Sequence, residues 1–122
     1  MRERMIGVPI SITCYVRNDQ PGFVACEFMD SHGRQHHFIE KTAIVTADDI
    51  DANTHYPHPG VIACIIIERH LDTSGNEVIV VDTTEPWGVE STDGIARFEV
   101  LRSELVEWEW GSSARSQWNG IA

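Results

Sequence analysis

The feature that most constrains the fold is a period of two in the apolar residues, which recurs in short runs from residue 10 to residue 101. In the first run the residues predicted to share one face are Ile10, Ile12, Cys14 and Val16. Successive side chains of a β-strand point to opposite faces, so this period is typical of strands with one buried face. The pattern therefore predicts an all-β chain.

Clusters of turn-forming residues divide the chain into six predicted strands. They cover approximately residues 10–16, 23–29, 35–46, 61–70, 77–83 and 95–101. The fourth is apolar almost throughout, which indicates a central strand or one covered on both faces. Six short strands in 122 residues predict one domain, residues 1–122, folded as a small six-stranded antiparallel barrel or barrel-like sandwich.

A change of pattern follows the sixth strand. Leu101, Leu105 and Trp108 have the spacing of one or two helical turns, whereas Glu107–Trp110 alternates as a strand does. The sequence thus predicts a short C-terminal appendage, helix or strand, on a core of about residues 8–106. Residues 111–122 are mostly small and polar, and we expect them to form a flexible tail.

The three longest connections between predicted strands are residues 17–22, 47–60 and 82–94. If the strands form a meander, connections alternate between the two ends of the barrel, and these three gather on one rim. Loops carried by a rigid β scaffold commonly bind partners, so we predict a binding surface there. Its candidate residues are Asp48, Asp49, Asp51, His55, Tyr56, His58, Glu85, Trp87, Glu90 and Asp93.

Residues 82–94, with the sequence DTTEPWGVESTDG, place one tryptophan among four carboxylates and two glycines. In one interpretation the Trp87 ring plugs the open end of the barrel, since indoles are usually largely buried. In the other the ring is an exposed anchor for a cationic or aromatic group of a partner. Of the two, we favour the plug.

The charge of the chain restricts its partners. Nineteen acidic and nine basic residues give a net charge of −10. A surface this negative repels phosphate backbones and anionic membranes, so we expect binding to neither nucleic acid nor membrane. The longest apolar run, Val61–Ile67, is far shorter than the roughly 20 residues of a membrane-spanning helix. Since the N-terminal residues also lack an apolar signal region, we expect a cytoplasmic protein.

Metal-binding motifs are incomplete in this sequence. Asp49–Asn53 begins like a calcium loop, D-x-D-x-N, but Thr54 stands where glycine is required. His36 and His37 are adjacent in a predicted strand, so their side chains point to opposite faces and cannot both ligate one ion. We therefore predict no bound metal and no cofactor.

Catalytic motifs are also missing. The chain has no G-x-S-x-G elbow, no phosphate-binding glycine loop and no H-E-x-x-H sequence. Its three cysteines, Cys14, Cys26 and Cys64, are widely spaced among apolar neighbours and are predicted to be reduced core residues. No residue is therefore predicted to be catalytic.

These observations lead to three hypotheses about function. The first is a non-catalytic protein-binding module, such as an acidic inhibitor or immunity-type protein that neutralises a basic protein. The second is a small enzyme, or a metal- or ligand-binding β-barrel, that uses the histidines and carboxylates of the rim. The third is self-association through Trp108 and Trp110, because exposed indoles commonly mark interfaces.

Overall fold

The fold is all-β, as predicted, and the described residues form seven strands, one α-helical turn and one 3-10 turn. A computed structural model describes residues 3–17 and 22–110, and gives side-chain positions for residues 5–16 and 22–107. The strands are β1 (Glu3–Arg17), β2 (Phe23–Met29), β3 (Gln35–Lys41), β4 (His58–Leu71), β5 (Glu77–Asp82), β6 (Arg97–Leu101) and β7 (Val106–Trp110). The helical turn α1 (Thr42–Val45) follows β3, and a 3-10 turn (Arg102–Glu104) joins β6 to β7. Within the described residues, no helix has the length and apolar character needed to cross a membrane.

The six core strands form an antiparallel sheet in the order β3-β2-β1-β4-β5-β6, which curls into a half-barrel. This confirms the predicted six-stranded, barrel-like fold, and β7 confirms the strand alternative for the C-terminal appendage. The meander is wrong, because β1 rather than β3 lies between β2 and β4. The β3–β4 connection therefore starts at β3, on the edge of the sheet, and passes β2 and β1 to reach β4. The predicted tail, residues 111–122, lies outside the described residues.

Two long strands produce this order. β1 has 15 residues and β4 has 14, and they pair through Ile6–Ile12 and His58–Cys64. Along its other edge β1 pairs first with β7, through residues 3–7, and then with β2, through residues 11–17. β4 continues beyond β1 and pairs with β5 through residues 65–71. β1 thus pairs with three strands, β2, β4 and β7.

The sequence placed the start of β4 too late because of its prolines. Pro59 lies inside the strand, opposite Ser11 of β1, although we expected residues 47–60 to be a loop. At this point β4 has a single neighbour, since β5 pairs only with residues 65–71. A proline is tolerated in such a strand because its missing N–H need not interrupt a second ladder.

The predicted strand 35–46 is also wrong beyond Lys41. Residues 42–45 instead form α1, in which the Thr46 N–H donates to the Thr42 carbonyl at 3.1 Å. The Thr42 N–H donates to the Gly22 carbonyl at 3.0 Å, which ties α1 to the start of β2. Val45 is fully buried in the core. The turn thus brings an apolar side chain from the β3–β4 connection into the barrel.

A β-bulge changes the face of β1 halfway along its pairing with β2. The register passes from Ile12 opposite Cys26 to Cys14 opposite Ala25. Ile12 is buried as predicted, but Cys14 is exposed, which contradicts the prediction of a core cysteine. One extra residue in a strand reverses the facing of those that follow, so Tyr15 packs on the core instead.

The two edges of the curled sheet meet through aromatic side chains and two backbone hydrogen bonds. The Phe98 ring of β6 packs edge-on against Phe28 of β2, with ring centroids 5.2 Å apart. The Ser31 N–H donates to the Glu99 carbonyl, and the Thr92 N–H to the His37 carbonyl, each at 2.8 Å. We refer to this contact between the β2–β3 hairpin and β6 with its preceding loop as the seam.

Replacing Gly60 by alanine is expected to destabilise the fold by about 1–3 kcal/mol, because it overpacks the barrel. A Cβ atom at this position would lie 2.8 Å from the Val45 carbonyl oxygen and 2.9 Å from Ile10 Cδ1. Urea denaturation measures the loss. Ser11→Ala, an exposed change in the same ladder, is the control and should stay within about 0.5 kcal/mol of the wild type. Equal midpoints for Gly60→Ala and wild type would contradict the packing described.

Candidate functional site

The β5–β6 connection, residues 83–96, is closed at its base by hydrogen bonds from a buried threonine. The Thr83 hydroxyl, fully buried, donates to the Val89 carbonyl at 2.7 Å. The Thr83 N–H donates to the Ala96 carbonyl at 2.9 Å, and the Val89 N–H donates back to the Thr83 carbonyl at 3.0 Å. These hydrogen bonds fix the backbone of the first half of the loop. We call residues 83–96 the acidic loop, for the carboxylates described below.

Ser91 organises the second half of the acidic loop. Its hydroxyl oxygen accepts the N–H groups of Asp93, at 3.2 Å, and Ile95, at 3.0 Å. The Gly94 N–H donates to the Ser91 carbonyl at 2.9 Å, and Gly94 adopts a φ of 77°, a conformation that favours glycine. Together with the seam bond from Thr92, these contacts fix the loop against β3.

The structure decides between the two interpretations of Trp87. Its side chain is 42% exposed, whereas Val89 is fully buried and packs in the core. The plug interpretation is therefore wrong, because the apolar anchor of the loop is Val89. Trp87 and Val89 are two residues apart in the sequence, and either could have been the buried anchor of the loop. An irregular loop has no period that shows which of the two side chains points inward.

Carboxylates surround Trp87 along the chain. Glu85, Glu90 and Asp93 are all exposed, and residues 83–96 contain no basic residue. Asp82 precedes the loop and lies 3.4 Å from Arg97. Hydrogen bonds from the Thr84 hydroxyl and N–H, and then the Arg97 side chain, lower the pKa of Asp82 below its ordinary value despite partial desolvation. The acidic loop therefore carries three carboxylates that no cation of the same loop balances.

The other predicted site residues lie in and next to the β3–β4 connection. His58 Nε2 lies 2.9 Å from Asp48 Oδ2, and both side chains are partly buried. The Tyr56 hydroxyl donates to the Asp51 carbonyl at 2.6 Å. Asp49 and His55 are exposed. The structure thus brings two predicted pairs together, Asp48 with His58 and Asp51 with Tyr56, while Glu85, Trp87, Glu90 and Asp93 belong to the acidic loop.

The two buried cysteines, Cys26 and Cys64, are poorly suited to act as nucleophiles. Burial raises the pKa of Cys26 to about 12, and the nearby Glu40 carboxylate adds to the effect. Burial likewise raises the pKa of Cys64 to about 12, with a further contribution from Asp82. Neither thiol therefore ionises near neutral pH. Among the described residues, no three histidine, cysteine or carboxylate side chains are placed to hold a metal ion.

A polar cluster at the β2–β3 turn was not predicted. His36, only 5% exposed, places Nε2 2.8 Å from Asp30 Oδ2. The other oxygen of Asp30 accepts the N–H groups of His32, at 2.9 Å, and Arg34, at 3.0 Å. The His36 ring packs edge-on against Phe98, with centroids 4.7 Å apart. The alternation along β3 could have indicated that His36 is buried, because it shares the inward face of the strand with Phe38. Its pairing with Asp30 could not be predicted, because it depends on the geometry of the turn.

Asp30 is expected to make the fold sensitive to acid. Desolvation opposes its ionisation, but the hydrogen bonds from His36 and from two backbone N–H groups outweigh that effect and lower the pKa below the ordinary 3.8. A lowered pKa contributes stability that is present above the unfolded value and lost as the pH falls through the folded one, hence below about pH 4. Wild type should lose more stability between about pH 5 and pH 2 than Asp30→Asn does.

Thermal melts across this pH range measure the effect. Asp49→Asn, which changes an exposed carboxylate of the β3–β4 connection, is the matched control and should follow the wild type. At neutral pH, Asp30→Asn should cost about 1–3 kcal/mol, since it weakens the hydrogen bond to a buried imidazole. Parallel acid profiles for wild type and Asp30→Asn would show that this carboxylate is not the sensitive group.

No protein-family model, curated protein or solved structure matches this chain.

Proposed function

We propose that this protein is a non-catalytic binding module that captures a basic protein through the acidic loop. One observation carries the proposal: a loop fixed by its own hydrogen bonds exposes Trp87 among Glu85, Glu90 and Asp93, with no basic residue in the loop. An inhibitor or immunity-type protein that neutralises a cationic toxin or nuclease would have this character.

The order of the loop favours binding because it reduces the entropy lost on association. A flexible loop must be immobilised when a partner binds, which costs about 0.5–1.5 kcal/mol for each side chain that is ordered. Here Thr83 and Ser91 already fix the backbone, and Val89 is anchored in the core. The exposed groups are therefore presented in one backbone arrangement before any partner arrives.

The negative charge of the chain attracts a partner at long range and indicates that the partner is cationic. A net charge of −10 draws a cationic protein over a distance of about 10 Å at 0.1 M salt and accelerates its association. At contact, an arginine or lysine of the partner would lie over the Trp87 ring while neighbouring cations meet the carboxylates. Tryptophan is also among the residues that contribute most to interface energies.

The test uses the full chain immobilised and exposed to an extract of its native cells at about 50 mM and about 500 mM NaCl. Wild type should retain a protein of basic isoelectric point at the lower salt and release it at the higher, with the bound protein identified by mass spectrometry. Trp87→Ala should lose this protein and still melt cooperatively as a folded protein, because Trp87 is 42% exposed while Val89 anchors the loop in the core.

A charge control distinguishes the acidic loop from the overall acidity. Glu85→Gln with Glu90→Gln removes two loop carboxylates, and Glu68→Gln with Glu77→Gln removes two from β4 and β5. Only the first double variant should abolish retention. Equal retention by both double variants, or a bound protein that is acidic or indifferent to salt, would contradict the proposal.

A second candidate function rests on the Asp48–His58 pair. A carboxylate 2.9 Å from an imidazole can orient the ring for acid–base chemistry or for holding a ligand. Native mass spectrometry of protein purified without chelator tests this candidate. A metal or small-molecule adduct that disappears in His58→Ala would support it, and a bare mass for both proteins would count against it.

A further inference from the structure

A cleft of about 640 Å³ lies beside the seam, between the β2–β3 turn and β6. The turn contributes His32 and Arg34 to its lining, β3 contributes His36, and β6 contributes Arg97 and Glu99. Small-molecule sites commonly have volumes of about 300–1,000 Å³ and combine apolar walls with a few converging polar groups. This cleft has the same combination, since Val80, Ile95 and Phe98 provide its apolar wall.

The cleft brings two basic side chains of this acidic protein together with the carboxylates of Asp30 and Glu99. The structure describes five basic side chains: Arg34, Lys41, Arg69, Arg97 and Arg102. Two of these five line the cleft, with two histidines beside them. Within the described part of the chain, the Arg34 side chain makes no ion pair. Arg97 approaches Asp82 through Nε, which leaves the outer edge of its guanidinium group for another acceptor.

The carboxylates of the cleft are already occupied by other groups. One carboxylate oxygen of Asp30 is hydrogen-bonded to His36, and the other accepts two backbone N–H groups. Glu99 directs one oxygen toward His32 and the other toward His70, each at 3.4 Å. The two guanidinium groups are therefore the polar groups least committed within the cleft.

We propose that this cleft binds a small oxyanion ligand, with a carboxylate or phosphate head group held by Arg34 and Arg97. The planar fork of a guanidinium group matches both head groups through paired hydrogen bonds. A short apolar or aromatic body would lie against Phe98 and Val80. The site uses neither Trp87 nor the carboxylates of the acidic loop, so it is independent of the proposed protein-binding function.

Three probes test the site in the full chain at low ionic strength: benzoate, phenyl phosphate and inorganic phosphate. Backbone amide signals of residues 30–36 and 97–99 should shift and saturate in NMR titrations, with a Kd on the order of 1 mM. Saturation by phenyl phosphate and inorganic phosphate, but not by benzoate, identifies a phosphate site. Saturation by benzoate alone identifies a carboxylate site.

Matched arginine variants separate the site from general surface charge. Arg34→Gln removes an exposed cation of the cleft and should raise the Kd at least about tenfold, while its spectrum stays that of a folded protein. Arg69→Gln removes the same charge from β4 outside the cleft and should change the Kd less than about twofold. An equal loss in both variants, or shifts that fail to saturate with all three probes, would overturn the proposal.

Discussion

The ladder between β1 and β4 is the interaction on which the rest of this structure depends. Seven residues of each strand pair without a register shift, from Ile6 opposite Cys64 to Ile12 opposite His58. Each strand then continues past the other, so that β1 reaches β2 at one end and β7 at the other, while β4 reaches β5. A sheet built on two long, offset strands curls because successive neighbours are displaced along them. The curvature brings β3 and β6 close enough to meet.

The same curvature explains why irregular segments have buried residues. A half-barrel leaves openings at its ends and along its seam, and apolar groups from the connections enter them. Val45 comes from α1 and Val89 from the acidic loop, and both are fully buried in the same core. A connection anchored in this way cannot move without exposing part of the core. The order of the acidic loop is therefore a consequence of how the barrel is filled, and its exposed carboxylates are held in place by that buried valine.

Much of the fold could be predicted from the period of two, because alternation is a local property of each strand. β2 was predicted with the bounds that the structure has, Phe23–Met29. The helical turn Thr42–Val45 was missed because its β-branched residues favour a strand, and tertiary contacts overrode that preference. The bulge at Thr13 was missed because its position depends on how β1 pairs with β2, which is a nonlocal property.

The candidate site was predictable in composition but not in arrangement. The acidity of residues 82–94 is read directly from the sequence, whereas the inward turn of Val89 in place of Trp87 follows from hydrogen bonds within the loop. The order of strands could not be predicted, because it is set by the β1–β4 ladder, which pairs residues far apart in the chain. The Asp30–His36 pair was beyond prediction, since it joins residues across a turn.

The seam differs from the other contacts between strands in having no β-ladder. Neighbouring strands elsewhere in the sheet are joined by ladders, but the described backbone joins the two edges of the sheet through only two hydrogen bonds, at Ser31 and Thr92. Opening the barrel there would expose Phe28 and Phe98 while leaving every ladder intact, so local unfolding at the seam breaks no strand pairing. Arg34 and Arg97 lie on opposite sides of that line. A molecule bound by both arginines would join the two sides of the seam, so its binding would stabilise the closed form of the barrel.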